Sequence, residues 1–115
     1  MSDERNYIRD SKLDKVPMKW LAPETMQQRI FSSKTDVWAF GIMAWEIYND
    51  GREPYPGLTN VQARAKIVVL NYRMEMPKTT PPNVAKLIYK CWEADPDKRP
   101  SFAEIFETLD KIRKT

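Results

Sequence analysis

Histidine is absent from the 115-residue sequence, which removes imidazole acid–base catalysis, Ser/His and Cys/His nucleophile pairs and most zinc sites. Cysteine occurs once, as Cys91, so no internal disulfide can form and a reducing compartment is implied. Cys91 falls on an apolar helical stripe, which reads as a buried structural thiol rather than a reactive one. The three glycines, Gly41, Gly51 and Gly57, are too few and too dispersed to build a phosphate-cradling loop. Long hydrophobic runs are missing as well. The apolar stretch from Val37 to Trp45 falls far short of the roughly 18 residues of a membrane span. No apolar segment follows the polar start Met1-Ser2-Asp3-Glu4-Arg5, so no signal peptide is expected. Catalysis, if present, is left with carboxylates, lysine or a nucleotide cofactor.

What remains is a composition of 30% charged and 42% hydrophobic residues, which describes a soluble globular protein of one domain. A chain of this size buries on the order of 65% of its unfolded surface. Nineteen basic residues stand against 16 acidic ones, a formal charge of +3. The two signs are interspersed, so neither nucleic acid nor an anionic membrane is an expected partner.

Residues 1 to 20 show no sustained period and read as a surface loop whose tail, Val16 to Trp20, is extended, because Pro17 disfavours helix before it. Leu21 to Met26 suits a short helical turn with Pro23 near its first position. Ser32, Ser33 and Thr35 offer N-caps for the central element, a helix from about Thr35 to Tyr48 with Asp36 in its first turn. Val37, Phe40, Ala44, Trp45 and Tyr48 form one stripe of that helix, and Trp38, Ile42, Met43 and Ile47 fill its other faces. A helix apolar all round must be surrounded by other segments. Asn49-Asp50-Gly51 ends it, and Arg52 to Gly57 is a proline and glycine loop. Thr59 with Gln62 has the form of a capping box and opens a helix to about Leu70. After a loop from Asn71 to Pro82, Val84, Leu87, Ile88, Cys91 and Trp92 follow amphipathic helical spacing. Asp95 to Pro100 breaks the chain. Ser101 with Glu104 is a second capping box, and Phe102, Ile105, Phe106, Leu109 and Ile112 form the core stripe of the last helix. No segment alternates with a two-residue period, so the fold class is all-α.

Several of these strings, in order and spacing, resemble the C-terminal lobe of protein kinases, and of tyrosine kinases in particular. Ala22-Pro23-Glu24 is similar to the motif that closes the activation segment. Before it, Val16-Pro17-Met18-Lys19-Trp20 resembles the tyrosine-kinase form of the substrate-binding loop. After it, Ser33 to Gly41, including Asp36, Trp38 and Gly41, resembles the family's F helix. Pro54-Tyr55-Pro56-Gly57, Cys91-Trp92 and Pro96-Asp97-Lys98-Arg99-Pro100 follow in the family's order. The likeness runs from about Tyr7 to Arg113 and looks most like the Fes/Fer type of cytoplasmic tyrosine kinases.

The resemblance implies a partial kinase-like C-lobe with the N-lobe absent: residues 1–24 as the end of the activation segment and substrate shelf, and residues 25–115 as the helical body. Tyr7 is implied as the activation-loop phosphosite, with Arg9 or Lys12 as local partners. Val16, Pro17, Met18, Lys19 and Trp20 are implied as the shelf under a substrate tyrosine. Glu24 and Arg99 are implied as a buried ion pair. Asp36 is either the aspartate that holds the catalytic-loop backbone or merely an N-terminal charge.

Phosphoryl transfer requires a cradle and a lysine for ATP phosphates, magnesium ligands and a carboxylate aligned on the acceptor. The sequence offers none of these. Ala39-Phe40-Gly41 resembles the magnesium-binding Asp-Phe-Gly only superficially, since Ala39 has no carboxylate. Arg9-Asp10 fails as a catalytic loop because Lys15 stands where an Asn ligand belongs. No catalytic, cofactor-binding or metal residues are therefore expected, although a complete parent enzyme would use ATP and magnesium. Two readings follow. One is the peptide-holding part of a cytoplasmic tyrosine kinase, inactive alone, that meets tyrosine-containing substrates. The alternative is a short non-catalytic kinase-like binding module for substrates or kinase regulators.

Overall fold

The computed structural model describes residues 17–114, and every regular element among them is helical. A 3-10 turn, Met18–Trp20, leads to α1 (Pro23–Gln28), α2 (Ser33–Tyr48), α3 (Asn60–Val68) and α4 (Pro82–Cys91). A second 3-10 turn, Pro96–Lys98, precedes α5 (Phe102–Lys114). None of the helices is long and apolar enough to cross a membrane.

Helix α2 is the centre of the packing: α4 lies along it, and both 3-10 turns touch it. α1 rests on α3, and α5 rests on α4. Local chemistry sets the boundaries. Ser32 caps α2 through its side chain, and Thr35 closes the capping box by accepting from the Ser32 N–H at 2.9 Å. Thr59 with Gln62, and Ser101 with Glu104, make the same reciprocal bonds at the starts of α3 and α5. α1 and α4 each carry proline in the first turn, where its missing N–H costs no helical bond. α2 ends as Asn49, Asp50 and Gly51 turn the chain, the last two at φ of 58° and 80°.

The core joins Val37, Trp38, Ile42 and Trp45 of α2 to Val84, Leu87, Ile88, Cys91 and Trp92 of the α4 segment. Ala22 before α1, Tyr55 of the loop after α2, Ala63 and Ile67 of α3, Met74 and Met76 of the following loop, and Ile105 of α5 complete it. The loop is pinned by side chains: Trp45 Nε1 donates to the Glu75 carbonyl at 3.0 Å, the Met76 N–H donates to the Tyr89 hydroxyl at 2.8 Å, and Arg73 Nε donates to the Trp92 carbonyl at 2.7 Å. Burial pushes the Cys91 thiol up to about 11, partly countered by Arg99, which suits a packed and unreactive sulfur.

Three expectations are corrected by this packing. α2 is not enclosed on every side, because Asp36, Met43 and Ile47 line an open face on which Ile47 is 67% exposed, and Tyr48 also reaches solvent. α4 and the two turns cover one side of α2, and the described residues supply no second layer for the other. Phe102 and Phe106 are not core residues; Phe106 is 74% exposed, while Phe102 meets Phe40 edge-on at 6.1 Å at the rim. The α4 to α5 contact uses Ile105, Leu109 and Ile112 instead. The tail before Leu21 is also not wholly extended. Pro17 itself is extended, but the Trp20 N–H returns to the Pro17 carbonyl at 3.1 Å and closes a 3-10 turn.

Gly41 marks the closest approach of α2 to α4. A Cβ there would lie 2.6 Å from Trp92 Nε1 and 3.1 Å from Cys91 Cβ. Helix propensity favours Gly41→Ala by up to ~1 kcal/mol, whereas overpacking of a filled core costs about 1–3 kcal/mol. The variant is therefore less stable in urea titration, and an unchanged or raised midpoint contradicts the contact.

Candidate functional site

The site candidates fall in two linked places, the Met18–Trp20 turn and the Arg99 centre behind it. Lys19 enters the protein with only 5% of its surface exposed. Its ammonium donates to Glu53 Oε2 at 3.1 Å and to the Tyr55 carbonyl at 3.4 Å. Trp20 Nε1 donates to Glu46 Oε1 at 2.8 Å, which ties the turn to the last part of α2. Pro17 remains exposed and Met18 half-buried, so the outer edge of the turn faces solvent while its inner edge is clamped.

Tyr55 is part of that clamp. It is buried at 1% exposure and holds a left-handed backbone at φ 49°, a conformation that costs a bulky residue of order 1–3 kcal/mol. Its N–H reaches Met74 Sδ at 3.1 Å, and its carbonyl accepts from Lys19 and from the Leu58 N–H. Burial raises the pKa of the phenol far above its usual range, with Arg73 opposing the shift, so Tyr55 stays neutral.

Behind the turn, Ala22 caps α1, Pro23 takes its first position, and Glu24 points to Arg99. The pair is bidentate, with Nη1 to Oε2 at 2.8 Å and Nη2 to Oε1 at 2.9 Å. The remaining guanidinium donors reach the carbonyls of Glu93, Lys34 and Ala94 at 2.8, 3.0 and 3.4 Å. All five donors of a side chain with no acceptor capacity are thereby used. Lys34 completes the tie in the other direction, its Nζ donating to the Arg99 carbonyl at 2.7 Å. The Trp38 ring lies 5.1 Å from the Arg99 guanidinium and 4.8 Å from that of Arg73.

The structure thus brings Glu24, Arg99 and Trp38 together, with Gly41 one helical turn along beneath Trp92. Asp36 is not among them. Its carboxylate is exposed and accepts no hydrogen bond from any described residue, at the head of the open face that continues through Met43 and Ile47. Tyr7, Arg9, Lys12 and Val16 lie outside the described residues. Glu46, Glu53, Tyr55 and Met74 hold the turn without having been assigned to it from sequence. The signals were the lone late charge of α2 and the Pro54-Tyr55-Pro56-Gly57 string, but neither names its partner.

Among the described residues, no three Asp, Glu or Cys side chains converge as a metal site. Gly51 and Gly57 occupy separate turns, and Gly41 is closed under Trp92.

The sequence model for protein tyrosine and serine/threonine kinases matches residues 1–109. Fer-related kinase 1 of Caenorhabditis elegans is 54% identical over 115 residues, which cover 99% of this chain and 28% of that protein. Human tyrosine-protein kinase Fer is 43% identical over 104 residues, 90% of this chain and 12% of its own length. Fibroblast growth factor receptor homolog 1 of Drosophila melanogaster is 37% identical over 110 residues, 96% of this chain and 15% of its own length. The chain therefore spans under a third of the curated relatives it matches.

Removing one partner of a buried pair leaves the other uncompensated, at a cost of about 3–5 kcal/mol. Arg99→Ala accordingly lowers the melting temperature by many degrees, and Arg99→Lys rescues little because one ammonium cannot replace a five-donor fork. A shift below one degree in calorimetry contradicts the arrangement.

Proposed function

Because this chain belongs to the protein tyrosine and serine/threonine kinase family, we propose that it is the peptide-holding part of a Fer-type protein-tyrosine kinase. In this reading Pro17, Met18, Lys19 and Trp20, continued by Val16, form the shelf for a substrate tyrosine and the residue after it. Residues 1–24 are the end of the activation segment, and residues 25–115 are the body against which it is held. Tyr7 is the phosphorylation site of that segment. The parent enzyme transfers the γ-phosphate of ATP to protein tyrosine with magnesium and works in the cytoplasm, a placement supported by the Fer-type relatives and by the single buried cysteine. In this reading the chain by itself transfers no phosphate, because its sequence carries no Gly-rich loop, no Asp-Phe-Gly and no catalytic-loop Asn.

The observation that carries the reading is the clamped turn. Lys19 is a cation turned inward, bonded to Glu53 and the Tyr55 carbonyl, which leaves the outer rim of Pro17 and Met18 as a short rigid ledge. A rigid ledge reduces the ordering cost of binding an extended peptide. Glu24 and Arg99 fix the next residues, so the ledge cannot drift from the body.

The test is a nuclear magnetic resonance titration of the isotope-labelled chain with a short tyrosine peptide free of acidic runs. The amides of Met18 to Leu21 shift, and replacing the peptide tyrosine by alanine weakens binding about tenfold, roughly the loss of one buried aromatic contact. Equal binding of the alanine peptide, shifts confined to other surfaces, or phosphotyrosine formed by this chain alone with ATP and magnesium overturns the reading.

A further inference from the structure

A second surface lies away from the ledge. A groove of about 620 Å³ runs between α4 and α5 and is closed at one end by the Pro96–Lys98 turn. Lysines 34, 86, 90, 98 and 111 line it. Only two acids, Asp97 and Glu104, share the lining. Six of the chain's 19 cations and two of its 16 acids line the groove, which leaves 13 cations and 14 acids elsewhere, so the chain's positive excess is concentrated there. Arg99, at the bottom, is already neutralised by Glu24.

Lys34 spends its ammonium on the Arg99 and Pro96 carbonyls. Lys86, Lys90, Lys98 and Lys111 are exposed, and none of them forms a salt bridge to a described residue. Lys86 and Lys90 stand four apart on one face of α4, an arrangement that like charges disfavour and that an anion between them relieves. Glu104 is held below the usual carboxylate range first by its hydrogen bonds from Ser101 and then by Lys34 and Lys90, so these two ammonium groups act on one space. Leu87, Pro100 and Ile112 supply an apolar floor under the charged rim.

We propose that this groove is a docking site for a short acidic peptide segment of a partner protein, with carboxylates on the lysine rim and one apolar side chain on the floor. A concave site with a floor suits a side-chain anchor better than a flat lipid surface, on which apolar groups must protrude. The lining has neither the aromatic platforms nor the accessible arginine forks of single-stranded nucleic-acid sites. Compact, strongly hydrated ammonium groups fit monodentate carboxylates along an extended chain.

The experiment measures fluorescence anisotropy of the full chain with a labelled peptide of Glu and Asp flanking one Leu. Binding weakens at least about tenfold for Lys86→Glu with Lys90→Glu, and also for Lys111→Glu on the opposite wall, and it falls with salt. The control pair Arg52→Glu with Lys78→Glu, exposed cations that do not line the groove, changes it less than about twofold. Far-ultraviolet circular dichroism confirms that each variant is folded, and the Lys111 variant carries the test if the α4 pair is not. Absence of peptide binding, an equal loss with the control pair, or lysine-dependent binding to phosphatidylserine vesicles without peptide binding overturns the proposal.

Discussion

The interaction on which the rest depends is the bidentate pair between Glu24 and Arg99. It joins residues 75 apart in the chain and sits where α1, the start of α2 and the second 3-10 turn meet. A buried guanidinium is tolerable only when its charge is paired and its donors are filled. Here one carboxylate and three carbonyls do so, and those carbonyls come from Glu93, Ala94 and Lys34. The requirement therefore dictates the backbone path of two separate segments. Lys34 repeats the constraint from the opposite direction through the Arg99 carbonyl. An apolar replacement could fill the volume, but it would not specify where those carbonyls point.

Much of this fold was legible in the sequence because local chemistry announces helix ends. The three hydroxyl-led caps, the proline opening α1 and the Asn-Asp-Gly exit from α2 each act within a few residues. The α4 stripe from Val84 to Trp92 was equally plain, since one face of that helix meets the core. The environment of α2 was not. Its composition demands cover on all sides, but whether cover exists depends on distant segments, and Met43 and Ile47 face outward. Phe102 and Phe106 fit the apolar spacing of α5 yet sit at its rim, because α5 approaches α4 through Ile105. The turn at Met18 was obscured by Pro17, whose restriction falls on the residue before it and leaves those after it free to coil.

The candidate site divides along the same line. The identities of the ledge residues and of the Glu24 and Arg99 pair came from ordered motifs. The side chains that position the ledge, Glu46, Glu53 and Tyr55, are held by tertiary distance alone. The strained backbone at Tyr55 has no sequence mark beyond its neighbouring prolines and glycine, and it persists because Lys19, Leu58 and Met74 each bond to it. In the proposed function the ledge depends on rigidity, since so short a ledge holds an extended peptide only if the body behind it does not move.

That claim is tested most directly by hydrogen exchange of single amides in the full chain and in Glu24→Gln, under conditions where both are folded. Trp20, Leu21 and Thr25, whose N–H groups close the ledge and the start of α1, are expected to exchange at least about tenfold faster in the variant, a loss of some 1.4 kcal/mol of local stability. The amides of α4 keep their protection. Unchanged exchange at the ledge, or a uniform acceleration across the molecule, would contradict a latch that holds the ledge to the body.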